Sequence, residues 1–329
     1  MSGAFVDIDL SSLPSPDVIE RLDYETVFNE MVAKVKKDMP DFDATLESDP
    51  AMKVLQVAAF REVNLRQRVN DAARAVMLAY ARKGDLDHLV ADFGVKRQVI
   101  DAGDPDAYPP VLPTYEKDDS LRRRRQLAPE ALTVAGSEGA YKFHALGVAG
   151  VKDVSVDTPD PGKVVVTVLA LDGQGVPNSD LLAAVLAILD ARTIRPLTDQ
   201  VTVEAAGIVE YTIEALLYID SGPDESVVLD AAVEAAIALV KDNHRLGRGV
   251  SVSATHSALH PKGVERVKLT SFSDDISVAA NQAAFCNLIH LKNAAKTEQK
   301  VELTYEQLKL LAEGKTTYAE LKRQLAGGA

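Results

Sequence analysis

The sequence predicts an α+β protein in several domains, and three observations point there. Across the first hundred residues apolar side chains recur at three- and four-residue steps, the period of amphipathic helices. Beyond Gly150, short β-branched runs alternate with helical stretches. Between these regions, residues 101–119 contain Pro105, Pro109, Pro110 and Pro113. A length of 329 residues accommodates two or three domains, and a hydrophobic content of 47% is enough to build buried cores.

Residues 1–16 read as an extended arm. Leu10 and Leu13 stand there among polar residues, and Pro14 and Pro16 break any helix. Such an arm either docks on another surface or frays. The region 17–100 is helical. Its first helix carries Val27, Phe28, Met31, Val32, Val35 and Met39 and stops at Pro40. Its second is announced by Ser48-Asp49-Pro50, a capping residue with proline at the first helical position. Apolar positions then run through Val54, Ala58, Leu65, Val69, Ala72, Val76 and Tyr80, with Arg61, Arg66, Arg68 and Arg74 interspersed. Nothing interrupts the pattern before Gly84, which predicts a rod of roughly 50 Å at ~1.5 Å per residue. A short third helix covers 85–93 and stops at Gly94.

Residues 101–119 read as an extended, Pro-rich connector. The first α+β unit, 120–205, opens with a helix containing Arg122, Arg123, Arg124 and Arg125. It continues with helices at 138–146 and 179–191 and strands at 151–156, 164–171 and 201–204. The second unit, 206–294, has strands at 209–219, 264–269 and 285–291 and helices at 226–242 and 251–260. Residues 150–156 echo residues 263–269, either because the two units are related or because two strands happen to begin Gly-Val. The last segment, 295–329, reads as a helical tail hinged at Gly314, an appendage outside both cores.

Composition narrows the function. A formal charge of −13 and a pI of about 5.0 repel nucleic acid and anionic membrane. The chain start lacks a signal peptide's basic and apolar runs, and no stretch approaches the ~20 apolar residues of a membrane span. A single cysteine, Cys286, excludes an intramolecular disulfide framework and suits synthesis in a reducing cytoplasm.

Motifs for chemistry are incomplete. His256 and His260 have the spacing of a zinc-protease pair, but Ser257 stands where that motif needs glutamate. Cys286 and His290 would share a face of a strand yet lie ~13 Å apart along it, too far for a thiol–imidazole pair. Gly314-Lys315-Thr316 matches the end of a phosphate loop, but Lys309 replaces the required upstream glycine. The arginine run is a solvated helix face, a salt-bridging face toward a partner, or a phosphate contact. The expectation is no catalytic residue, no metal and no cofactor.

Several collinear stretches resemble one family. Leu13-Pro14-Ser15-Pro16-Asp17-Val18-Ile19-Glu20 with Leu22-Asp23-Tyr24-Glu25 is similar to the N-terminal signature of the baseplate J family of contractile-tail phages. Residues 65–81 resemble its long helix, and Asp85-Leu86-Asp87-His88-Leu89 with Phe93-Gly94-Val95-Lys96-Arg97 continue the match. Val134-Ala135-Gly136, the run 139–145, His244-Arg245-Leu246-Gly247-Arg248, Ala258-Leu259-His260 and Gly263-Val264 follow in order.

The resemblance implies a structural wedge subunit, repeated around a six-fold axis, that anchors a contractile sheath and triggers contraction in a phage tail, a tail-like bacteriocin or a related injection system. Implied partners are other copies of itself, neighbouring wedge proteins, the sheath-initiating protein and the central hub, assembled in the bacterial cytoplasm, with no nucleic acid and no membrane. The candidate partner interface is Leu10 and Leu13 on the arm, Leu65, Arg66, Val69, Ala72, Arg74 and Val76 on the long helix, and Arg122 and Arg124 on the arginine run. Two rival readings are a hydrolase using His256, His260 or Cys286, and a soluble binding module or chaperone that grips a partner with the long helix.

Overall fold

The computed structural model describes residues 10, 13–14, 16–42, 49–132, 136–220, 224–295, 300–313 and 316–326. The chain is α+β and divides into two compact units, Val6–Gln126 and Leu127–Ala329. That division falls inside a helix, seven residues beyond the expected boundary at 119/120.

In the first unit, Asp23 caps α1 (Tyr24–Asp38) by accepting from the Thr26 amide at 3.0 Å. Asp49 caps α2 (Pro50–Ala75) by accepting from the Ala51 amide at 2.8 Å. Helix α1 packs on α2 and buries Val27, while α2 buries Met52, Ala59 and Asn70. The apolar pattern of α2 continues to Tyr80, but the helix stops after 26 residues, about 39 Å. The Arg122 guanidinium supplies the reason. It donates to the Leu78 carbonyl at 2.7 Å and the Ala81 carbonyl at 2.9 Å, and the chain between runs through tight turns. The expected 50 Å rod is therefore shorter. Helix α3 (Lys83–Ala91) follows and buries Leu86 and Val90.

The expected Pro-rich spacer is instead a folded-back ribbon. Strand β1 (Val99–Asp101) pairs antiparallel with β2 (Thr114–Tyr115), and an isolated bridge joins Asp104 to Val111. Gly103 makes the crossing possible. Its φ is +69°, and a Cβ there would lie 2.3 Å from the Val111 carbonyl oxygen. Helix α4 (Asp118–Leu127) carries the arginine run.

In the second unit, a single 3-10 turn (Ala128–Leu132) precedes α5 (Glu138–Leu146), which Ser137 caps through the Ala140 amide. Strands β3 (Val151–Asp160) and β4 (Lys163–Ala170) are antiparallel. Helix α6 (Ser179–Leu189) crosses over to β5 (Gln200–Ala205), which lies parallel to β4. Tyr141, Ala145, Val154, Val166, Val185 and Leu189 form this first core.

Residue Ala206 alone separates β5 from β6 (Gly207–Ile219). The Ala206 amide still bonds to Val168 in the first sheet, and the Gly207 amide already bonds to Asn281 beside the second. Helices α7 (Glu225–Asn243) and α8 (Val252–Ala258), then β7 (Val264–Leu269), β8 (Gln282–Asn293) and β9 (Lys300–Leu303), complete a sheet of order β7-β6-β8-β9. The echoing segments begin at Gly150 and Gly263, with φ of +91° and +102°, and become β3 and β7. Each is an edge strand antiparallel to a central strand that runs parallel to its other neighbour. The spatial pattern is shared while the chain order is permuted, since β3 precedes its central strand and β7 follows it.

The tail is no appendage. Strand β9 pairs with β8, and Leu303 is fully buried. Helices α9 (Tyr305–Glu313) and α10 (Tyr318–Ala326) send Leu308, Leu311, Tyr318 and Leu321 into the core that holds Ile213, Leu217, Ile289 and Leu291. The Tyr318 hydroxyl donates to Asp230 on α7 at 3.0 Å. These apolar residues are covered only when the tail is in place, so a boundary at 294/295 would open the second core. Truncation before Lys300 should give a chain that loses its cooperative urea transition by circular dichroism. Leu303→Ala should cost about 2–5 kcal/mol. An unchanged unfolding midpoint in both variants would restore the appendage reading.

Candidate functional site

Helix α2 has two apolar sides. At about 100° per residue, Val54, Ala58, Leu65, Val69, Ala72 and Val76 occupy one sector about 60° wide. All six are exposed, Val54 at 68%, Leu65 at 65%, Val69 at 64% and Val76 at 69%. The other side faces α1. There Asn70 accepts from the Glu20 amide at 3.1 Å and donates to the Glu20 carbonyl at 2.9 Å, fastening the segment that leads into α1.

The remaining expected interface residues fare differently. Leu13 is half exposed and Leu10 half-buried. Arg66 reaches Glu62 at 2.5 Å and Glu20 at 3.8 Å, and Arg74 reaches Asp71 at 3.7 Å, so both already have carboxylate partners within the chain. Arg122 is turned inward onto the Leu78 and Ala81 carbonyls, and Arg124 is buried. Neither offers its guanidinium to a partner, which corrects the expectation for the arginine run.

That run is an internal staple. Arg124 donates to Glu116 at 2.7 Å and to the Lys96 carbonyl at 3.1 Å, and Glu116 also accepts from the Gln98 amide. Arg97 donates to Asp87 at 2.8 Å, Asp118 at 2.7 Å and the Glu116 carbonyl at 2.6 Å. Burial pushes the Asp118 carboxyl up, but the Arg97 and Lys83 hydrogen bonds and nearby positive charge hold it below the ordinary carboxylate range. Arg125 lies over the Phe93 ring. Sequence distance hides all of this, because the pairs are 8 to 35 residues apart.

The residues considered for chemistry lie on separate elements, His256 on α8, His260 just past its end, and Cys286 and His290 on β8. Helix α8 ends at Ala258, so His260 lies beyond it, and its ring faces the Glu265 carbonyl at 3.3 Å. Cys286 is buried, and burial pushes its thiol up to about 12. A bulge at Asn287 shifts the register between β6 and β8. Cys286 therefore faces the core with Ile289 and Leu291, while His290 points the other way, 3.9 Å from Glu302. The expectation that they share a face fails for that reason. Gly314 and Lys315 lie outside the described residues. Among the described residues no cluster of three or more histidine, cysteine or acidic side chains could hold a metal, and no helix is long and apolar enough to cross a membrane.

Two family models match the chain: the baseplate J-like N-terminal domain over residues 47–104 and the baseplate J-like central domain over 133–205. Baseplate protein J of Escherichia phage P2 is 43% identical over 287 residues, covering 85% of this chain and 95% of that protein. The chain belongs to the baseplate J family. It is accordingly a structural baseplate protein of bacteriophage type.

In this baseplate J chain the N-terminal match spans α2, α3 and β1, and the central match spans the first sheet with α5 and α6. The segment 244–248 lies beyond both and ties the two sheets together. Asp153 on β3 accepts from the Leu246 amide at 3.0 Å. Lys152 Nζ lies 2.7 Å from His244 Nδ1, and the Gln174 carbonyl lies 3.0 Å from Nε2. An ammonium only donates and a carbonyl only accepts, so the network assigns a neutral ring with its proton on Nε2. Gly175 leaves room for it, since a Cβ there would lie 2.5 Å from Leu169 Cδ1 and 3.2 Å from His244 Nε2.

Burial first, and the Lys152 charge second, lower the His244 pKa to about 4. An imidazole that resists protonation only when folded stabilises the fold fully above its unfolded value near 6.5, and the contribution is lost as pH falls toward 4. The shift corresponds to roughly 3 kcal/mol. Denaturant midpoints measured from pH 7 to pH 4 should fall more steeply for the native chain than for His244→Gln. Parallel curves would remove the histidine from the account. Separately, Arg124→Ala leaves Glu116 buried without its cation and should destabilise the first unit by about 3–5 kcal/mol. A loss under about 1 kcal/mol in thermal or urea unfolding, the range of an exposed pair, would contradict this burial.

Proposed function

We propose that this chain is a wedge subunit of a contractile-tail baseplate. Copies of it join neighbouring wedge proteins in a six-fold ring that anchors the sheath, meets the central hub and passes on the trigger for contraction. Assembly takes place in the bacterial cytoplasm, in a phage or a tail-like bacteriocin. The observation that carries this reading is the exposed apolar stripe of α2. Six apolar positions along one face of a helix and its C-terminal cap cost solvation in a free monomer and become favourable once a partner covers them.

The role is non-catalytic. Supporting this, the His260 ring faces the Glu265 carbonyl, Cys286 lies in the core of the second sheet, and burial keeps its thiol protonated at neutral pH. His256→Ala and His260→Ala combined with Cys286→Ala should leave tail assembly and infection or killing intact, a result that loss of function in a folded, assembled variant would overturn.

Leu65→Asp with Val69→Asp tests the seam. Both side chains are solvent-facing, so the isolated chain should keep its thermal unfolding profile. Incorporation into tails should be abolished. Wild-type incorporation would place the interface elsewhere.

A further inference from the structure

The ribbon between Gln98 and Glu116 is a second apolar surface of the first unit that the described residues leave exposed. It is a built element, closed at its base by the Glu116 amide on the Gln98 carbonyl at 2.9 Å and bridged again at Asp104 and Val111. Yet it buries almost nothing. Val99, Ile100, Val111 and Tyr115 are exposed, Leu112 is exposed at 78%, and Tyr108 is fully exposed. A two-stranded ribbon alone is marginally stable in water, and this one presents apolar side chains in succession.

Its charge has one sign. Residues 98–116 contain Asp101, Asp104, Asp106 and Glu116 and no lysine or arginine. Glu116 is buried against Arg124, while the three aspartates are exposed. The stripe on α2 has the opposite character. Arg61 and Arg68 lie seven residues apart along its edge, both exposed, and among the described residues neither meets a carboxylate. Arg66 and Arg74, by contrast, are already paired. One apolar surface is thus bordered by cations that meet no carboxylate, and the other by exposed aspartates, of which Asp101 and Asp104 accept only local backbone amides. Both belong to the same unit, and each lacks what the other supplies.

We propose that the 98–116 ribbon of one copy docks on the exposed α2 stripe of a second copy, Leu112 and Tyr108 against Leu65 and Val69, with Asp101, Asp104 and Asp106 facing Arg61 and Arg68. The inference rests on the wedge reading and names the surfaces through which copies meet. The two patches are unlike, so the contact is head-to-tail, the kind that closes a ring when its rotation permits.

The test uses two full-length copies with different tags, one carrying Leu112→Cys and the other Leu65→Cys, co-expressed during tail production and mildly oxidised in purified tails. Native Cys286 is buried and supplies no background. A disulfide joining the two tags is expected. Tails that contain both variants but show no mixed product, or in which Leu112→Cys links to a different protein, overturn the ribbon inference while leaving the wedge reading in place. A chain absent from purified tails defeats both. Charge reversal gives a second readout. Arg61→Glu with Arg68→Glu should weaken incorporation about a hundredfold, since like charges then face each other. Asp104→Lys with Asp106→Lys in the same chain should restore most of it, and no recovery together with a missing cross-link rules the contact out.

Discussion

The helical partner that this chain supplies to α2 is α1, fifteen residues against twenty-six. A helix gains most of its stability in proteins from burying an amphipathic face, and α1 covers one side over part of the length. The far end is held differently, by guanidinium groups on the carbonyls and carboxylates of the following turns. Arg122 takes the Leu78 and Ala81 carbonyls, and Arg97 and Arg124 converge on the residues around Glu116 and Asp118. The first unit therefore replaces part of a hydrophobic core with a partly buried ionic one. Such a network fixes geometry because each donor has a specific acceptor to reach, and it leaves the outer stripe of α2 exposed.

Much of the second unit was legible because its elements follow simple periods. The strand at 264–269 and the helix at 138–146 have the expected ends, marked by glycine before one and by a serine cap before the other. The tail was misread for a reason of the same kind. Leu308 with Leu311 and Tyr318 with Leu321 mark only short helix faces, and a four-residue strand such as β9 is too short to show a period. Their burial comes from the place where β8 ends, which no local pattern encodes.

The candidate interface divides along similar lines. Leu65, Val69, Ala72 and Val76 could be found from spacing, because a face is a local property of a helix. Whether α1 covers that face is not local. Arg122 and Arg124 show the opposite failure, since a run of four arginines reads as a surface and only long-range pairing turns it inward. The prolines of 101–119 concealed the ribbon, and the clue that remained was the unusual company of Val99, Ile100, Tyr108 and Leu112.

The passage from the first sheet to the second at Ala206 and Gly207 has a mechanical meaning. Consecutive amides belong to different sheets, so no slack segment separates them. Tension applied along β5 passes into β6 through one covalent link. On either side of that link lies a parallel neighbour, β4 or β8, whose hydrogen bonds share a load along the strand and resist as a group. A strand shared in this way is an inextensible link between the two sheets, which the contacts of residues 244–248 also join.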